Sequence, residues 1–217
     1  MYYYAHRKDD SEVVNTLMDL ACKYPTRGFQ TYYGKIRLAG LSWNRKRVLR
    51  VYRLLNLKLR IKRKRRLPNR IKEKLIVPGS INQTWSIDFM SDSLANGRRF
   101  RVLNVIDDYN RESLLNEAYY AIPAVKLVSC LKNLIRDRGK PLKIRTDNGP
   151  EFISKMFVDF CQANKIELHF IEPGKPAQNA YIERLNRTFR EDVLDPYLFE
   201  SLIEVNALAY EWQIDYN

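Results

Sequence analysis

Between Arg45 and Lys72 the chain carries fourteen Lys or Arg and not one Asp or Glu. No fold can bury such a run, because each unpaired charge taken out of water costs more than a small domain's whole net stability. The segment must lie on a surface or in a solvated arm, and so it divides the chain. The net charge is +13 over 217 residues, so everything outside this window is close to neutral. We expect a basic helical region over residues 1–66, a linker over 67–83 punctuated by Pro68, Pro78 and Gly79, and a balanced domain over 84–217. With 45% hydrophobic residues the balanced part can build a core. The excess of 38 Lys and Arg over 25 Asp and Glu suits a polyanionic partner.

Cysteine and histidine usage narrows the classes further. Cys22, Cys130 and Cys161 form no CxxC pair, and His6 and His169 are the only histidines. Neither a disulfide framework nor a zinc module is expected. The opening MYYYAHRKDD lacks the apolar stretch of a signal peptide, and no apolar run reaches the length of a membrane span. A reducing, cytoplasmic setting without membrane attachment is the expectation.

The N-terminal part reads as three short helices. Ser11 is the expected cap of the first, with Val14, Leu17, Met18 and Ala21 on its apolar face. A second runs from about Phe29 to Leu38 and stops at Gly40. A third follows Ser42, with Val48, Val51, Tyr52 and Leu55 on one face and Arg45, Arg47, Arg50 and Arg53 largely off it. Two short helices across a glycine turn, the second one basic, form a helix-turn-helix-like pattern. Arg45, Arg47 and Arg50 are therefore candidate DNA contacts, and Lys62, Arg63 and Lys64 behind them form a candidate phosphate-binding arm. The bland alternative is a solvated basic helix.

The rest alternates strand and helix. Trp85–Met90 and Phe100–Ile106 flank an Asn96-Gly97 turn signal and read as a hairpin. Ser113–Ala121 gives a third strand. A helix from Pro123 to Gly139, a strand at Leu142–Arg145, a helix at Phe152–Lys165 and a strand at Ile166–Ile171 follow. After the Pro173–Pro176 loop comes a long helix running past Arg190, then a last helix from about Phe199. The order β-β-β-α-β-α-β-α-α describes an α/β fold, a mixed sheet flanked by helices.

Three carboxylates sit where chemistry would want them. Asp88 interrupts the apolar strand Trp-Ser-Ile-Asp-Phe-Met, a costly position without a partner or cation. Asp147 ends a short strand beside Asn148-Gly149. Glu183 lies about one turn into a helix that opens after a Gly/Pro loop. Brought together, they make an oxygen-rich pocket for hard divalent ions such as Mg²⁺ or Mn²⁺. Two such ions can activate the nucleophile and relieve the leaving oxygen in phosphodiester chemistry.

Asp147 precedes Glu183 by 36 positions and follows Asp88 by 59. WSIDFM, TDNGPEF and PGKPAQNAYIERLNRTFRE together resemble the DDE core of retroviral integrases and insertion-sequence transposases. The nearest likeness is to downstream-frame products, and GRRFRVLNVIDDYNRE and the basic segment extend it over nearly the whole chain. The resemblance implies an RNase H-like fold with Asp88, Asp147 and Glu183 as a metal-binding catalytic triad using two Mg²⁺ or Mn²⁺ ions. It implies cleavage at element ends and strand transfer into target DNA, a homo-oligomer when active, an upstream-frame partner subunit and a nucleoid location. It also implies DNA contacts from Lys175, Gln178, Asn186 and Arg190. The family usually continues beyond the equivalent of Asn217, so a C-terminally shortened core is expected. The alternatives are a remnant that only binds DNA and a nuclease of RNase H type.

Other residues receive plainer readings. Asp107 and Asp108 are expected in a turn, Glu151 in a first helical turn, Trp85 in the core and His169 in a structural strand position. Fourteen tyrosines invite a tyrosine-recombinase reading, but no cluster of arginines and a histidine surrounds any of them.

Overall fold

The computed structural model describes residues 9–59, 77–172 and 179–217. It divides into two compact units, residues 1–68 and 69–217. Lys62, Arg63 and Lys64, and likewise Lys175 and Gln178, lie outside the described residues.

The described residues of the first unit form three helices, α1 (Ser11–Lys23), α2 (Phe29–Leu38) and α3 (Arg45–Leu54). Val13, Leu17, Tyr32, Ile36, Val48, Val51 and Tyr52 form its core. The apolar face of α1 is rotated from the expected one: Val13 replaces Val14 at the centre and Met18 is largely exposed. Asp10, not Ser11, flanks the start of α1, because Ser11 is itself helical and its hydroxyl bonds Asp9. Gly40, at φ +80°, ends the α2 segment in a left-handed turn that suits glycine. Asn44 then caps α3 by accepting from Lys46 N at 2.8 Å.

The second unit is built on a five-stranded sheet of order β3-β2-β1-β4-β5. The strands are β1 (Thr84–Ser93), β2 (Arg99–Asp107), β3 (Ser113–Tyr119), β4 (Lys143–Thr146) and β5 (Glu167–Phe170). β1, β2 and β3 pair antiparallel, whereas β4 pairs parallel with both β1 and β5. The β1–β2 hairpin turns at Asn96-Gly97, with Gly97 at φ +81°.

Helices α4 (Ala124–Arg138) and α5 (Lys155–Ala163) cover one face of this sheet. That layer has Trp85, Ile87, Leu103, Val105, Leu127, Leu131, Ile144, Phe152 and Phe157 at its centre, and it also carries Glu117 opposite Leu103 and buried Asp107 opposite Trp85. Helices α6 (Ala180–Phe189) and α7 (Leu202–Tyr216) cover the other face, joined through a single π-helical turn at Arg190–Leu194. Met90, Phe100, Val102, Ile182, Leu185, Phe189, Val205 and Trp212 fill that layer.

Helix starts differ from expectation for local reasons. Residues 149–153 form a turn, with Phe152 N and Ile153 N both bonding Gly149 O, and Ser154 then caps α5. Phe152 is thus freed to stack on Phe89 at 4.8 Å between ring centres. Phe199 likewise precedes its helix. Its carbonyl accepts from Ala95 N at 2.8 Å, and Ser201 supplies the cap of α7. Asp108 lies in the turn after β2, as expected, whereas Asp107 is the last residue of β2, and both are buried. Asp107 accepts from Asn82 N and Tyr109 N, while Asp108 pairs with buried Arg145 at 2.6 Å.

Candidate active site

The parallel pairing of β1 and β4 sets the site. Ser86 stands opposite Arg145. Carried two residues on, the same register puts Asp147, just past the end of β4, beside Asp88. Side chains two apart on a strand share a face, so both point to the layer covered by α6. Here the sheet changes from antiparallel to parallel, and the strand order runs away in both directions. In open α/β sheets, the carboxyl end of a strand at such a switch point is where ligands bind.

Each carboxylate is held differently. Asp88 is half-buried. Its Oδ1 accepts from its neighbour Phe89 N at 2.8 Å and its Oδ2 from Asn186 Nδ2 at 2.7 Å. Burial, together with the negative charges of Asp147 and Glu183, raises its pKa to about 6. Asp147 Oδ1 accepts from Gly149 N at 3.0 Å, which closes the Asp-Asn-Gly turn. A Cβ at Gly149 would stand 3.1 Å from that oxygen, so the turn favours the missing side chain. Glu183 is exposed on the first turn of α6.

The donor set is all hard oxygen, which fits a divalent ion of the Mg²⁺ class, and Asp88 feels the charge of both other acids. Among the described residues, however, no three Asp, Glu, His or Cys are gathered closely enough to cage an ion. The three acids therefore share an electrostatic neighbourhood without forming a closed metal cage.

Several expected DNA contacts have partners within their own unit. Arg47 and Arg50 both bind Asp10, at 2.8 and 2.5 Å, tying the start of α1 to α3. Arg45 packs over the Phe29 ring. Asn186 faces inward, held between Asp88 and Asn104, rather than outward to a ligand. Arg190 donates to Asp92 at 3.1 Å and to Ser91 O at 2.9 Å, bracing α6 against β1. Glu151 is not a first-turn helix acid; it lies in the turn before α5, paired with Arg101. Burial alone would raise its pKa, but the Arg101 hydrogen bond, a backbone hydrogen bond and the Arg101 charge together lower it. Trp85 is fully buried, and His169 lies on the exposed side of β5.

A row of polar side chains escaped the sequence reading. Asn104 stands opposite Asp88, and Asn116 opposite Asn104. Both are buried in the layer under α6 and α7. The signal was present: Asn104 interrupts Arg-Val-Leu-Asn-Val-Ile-Asp just as Asp88 interrupts its own strand.

An RNase H-like α/β domain with acids at the β1/β4 switch point is the class these features define. A family model described as an integrase core domain matches residues 80–176, and another of the same description matches residues 164–217. An uncharacterized 31.7 kDa protein of insertion element IS407 from Burkholderia multivorans is 36% identical over 218 residues, spanning 100% of this chain and 79% of that protein. An uncharacterized 39.2 kDa protein of insertion element IS476 from Xanthomonas euvesicatoria is 38% identical over 201 residues, or 93% of this chain. This chain spans only 58% of that second protein's length. Among solved structures, the HTLV-2 integrase catalytic core domain in complex with magnesium aligns at 22% identity and a TM-score of 0.49, over 63% of this chain and 85% of that one. The chain belongs to the integrase core family, as found in insertion elements. Among the described residues, no helix is long and apolar enough to cross a membrane.

Proposed function

We propose that this protein is a transposase core that cleaves DNA at insertion-sequence ends and joins the freed 3′-hydroxyl to target DNA. The observation that carries this reading is the register that sets Asp147 beside Asp88 under the helix bearing Glu183. Asp88, Asp147 and Glu183 would hold Mg²⁺ or Mn²⁺, two ions by family expectation. When bound, such ions lower the pKa of the attacking water or hydroxyl and neutralise the leaving oxygen. The chain's own part is to concentrate negative charge where the cations are needed and to fix two of the acids. Asp88 is fixed by Phe89 N and Asn186, and Asp147 by Gly149 N. The exposed Glu183 stands on a rigid helix whose buried face is Ile182, Leu185 and Phe189.

Binding of the polyanion falls to the basic segment. Arg45, Lys62, Arg63, Lys64, Lys175 and Gln178 are the side chains we assign to DNA, with Arg47, Arg50 and Arg190 contributing positive field while holding their acidic partners. Terminal repeats and target DNA are the partners, together with an upstream-frame subunit and further copies of this chain. A cytoplasmic, nucleoid-associated location follows from that role.

The open spacing of the three acids favours a second reading, in which the protein binds DNA without cutting it. One substitution separates the two. Asp147→Asn should lower end cleavage with Mn²⁺ by about a thousandfold or more while leaving DNA affinity within about twofold, since it removes a charged ligand and no basic contact. Cleavage that persists in Asp147→Asn refutes the catalytic assignment. Absence of cleavage by the wild type, with both DNA ends and the upstream subunit supplied, selects the binding-only reading.

A further inference from the structure

Asp88 stands at the end of an unbroken line of polar side chains that crosses three strands. Ser113 Oγ donates to Asn116 Oδ1, and Asn116 Nδ2 donates to Asn104 Oδ1 at 2.7 Å. Asn104 Nδ2 donates to Asn186 Oδ1 at 2.7 Å, and Asn186 Nδ2 to Asp88 Oδ2 at 2.7 Å. Every amide donates in the same direction, towards the carboxylate. Ser113 and Asn104 are fully buried and Asn116 nearly so.

The line depends on a bulge. Val105 pairs with Leu115 but Ile106 pairs with Ser113, so Leu114 is an extra residue in β3. Residues three apart on a regular strand face opposite ways. The extra residue lets Ser113 and Asn116 share the α6–α7 side, while Leu114 and Leu115 both pack into the opposite layer. The far end is clamped in turn: Ser113 O accepts from Gln213 Nε2 at 2.6 Å and Asn217 Nδ2 at 3.0 Å, both on or next to α7.

We propose that Asn104 and Asn116 are positioning residues that orient the Asn186 amide, so that its NH₂ and not its carbonyl faces Asp88, and thereby hold Asp88 ready for a divalent cation. Without Asn104 the Asn186 carbonyl loses its donor, and the amide is held only at its NH₂ end. With its carbonyl turned inward it would repel the carboxylate. Asn104 decides the orientation by offering Asn186 a donor, and Asn116 fixes Asn104 in the same manner. Buried amides in an apolar layer cost stability, and a set wired in a single direction towards a site carboxylate gives them a purpose.

The proposal rests on Asp88 as a cation ligand, so the test reads both. Mn²⁺ binding to the full chain is followed by the electron paramagnetic resonance signal of free Mn²⁺, and the Asn186 side-chain NH₂ by ¹H–¹⁵N correlation spectra. Asn104→Leu should weaken Mn²⁺ binding about tenfold, as loss of a ligand's supporting partner does, and should shift and broaden the Asn186 NH₂ resonances. Leu131→Ala, a core truncation in the opposite layer, controls for lost stability and should leave both readouts unchanged. If Asn104→Leu fails to fold, the double variant Asn104→Leu/Asn116→Leu takes its place, since it also removes the amide that the single change strands. Unchanged Asn186 resonances in the Leu variant overturn the proposal, as does a loss of Mn²⁺ binding matched by Leu131→Ala. If wild type binds Mn²⁺ no better than Asp88→Asn, the metal reading fails, and the Asn186 resonances still decide the relay.

Discussion

The two faces of the sheet in the second unit are made from the same strands and differ in what stands at their centres. The face under α4 and α5 is built from Trp85, Ile87, Leu103 and Val105, each fully buried and apolar. The face under α6 and α7 alternates with it residue by residue. It carries Asp88, Asn104, Asn116 and the Arg145–Asp108 pair among its apolar residues. One face stabilises the sheet by excluding water. The other gives up some of that stabilisation to hold polar groups in fixed places, which is the usual arrangement beside a functional site.

The largest test of this contrast is the buried ion pair behind the site. Arg145 lies two residues before Asp147 and holds the fully buried Asp108 at 2.6 Å. Burial raises the Asp108 pKa despite that partner. Arg145→Met removes the only cation bonded to Asp108 in the described structure and should cost about 3–5 kcal/mol in urea unfolding. The double variant Asp108→Asn/Arg145→Met should recover most of the loss. A single variant as stable as wild type would show that the pair is no constraint on this face.

The next effect has the opposite sign. Asp88 has an unfolded-state pKa near 3.9 and a folded-state value of about 6. Folded Asp88 therefore resists ionisation. Metal-free, its contribution to stability is fully present below about pH 4 and is lost as the pH rises through 6. Asp88→Asn cannot ionise, so it should be more stable than wild type at pH 8 by about 1–3 kcal/mol and somewhat less stable than it at about pH 4. The gain stays below the full linkage value because an amide can accept from only one of the two donors that Asp88 now satisfies. A variant less stable than wild type at pH 8 without metal would contradict the strain assigned to this carboxylate.

Much of this was legible in the sequence, and the boundary follows physical lines. Periodicity and turn residues mark every strand and helix of the described second unit, because those signals are local. The Asn96-Gly97 hairpin and the helix after Pro123 are examples. Asp88 was found because a charge in an apolar strand contradicts its surroundings. Asn104 is the same contradiction in weaker form, an uncharged amide, and it passed unnoticed. The Leu114 bulge left no trace, since two adjacent leucines read as ordinary strand. The partners of Arg47, Arg50 and Arg190 were invisible for another reason. Each pairs with an acid from a different element, brought close only by tertiary packing.

The smallest test compares neighbours. Ile87 and Asp88 are adjacent on β1 and point to opposite faces. Ile87→Val removes one methylene from the fully buried apolar layer. It should cost about 0.5–1.5 kcal/mol, with the spread set by how far Leu103, Val105 and Leu131 can close the gap. Its side chain packs in the layer opposite the polar line from Ser113 to Asp88. Mn²⁺ affinity and cleavage per folded molecule should therefore stay within about twofold of wild type, because the lost methylene lies on the face of the sheet opposite the site. The comparison sharpens if stability falls and the metal response holds. If Ile87→Val weakens Mn²⁺ binding as strongly as Asn104→Leu, the two faces are mechanically one, and position on the sheet no longer separates residues that support the fold from residues that support the site.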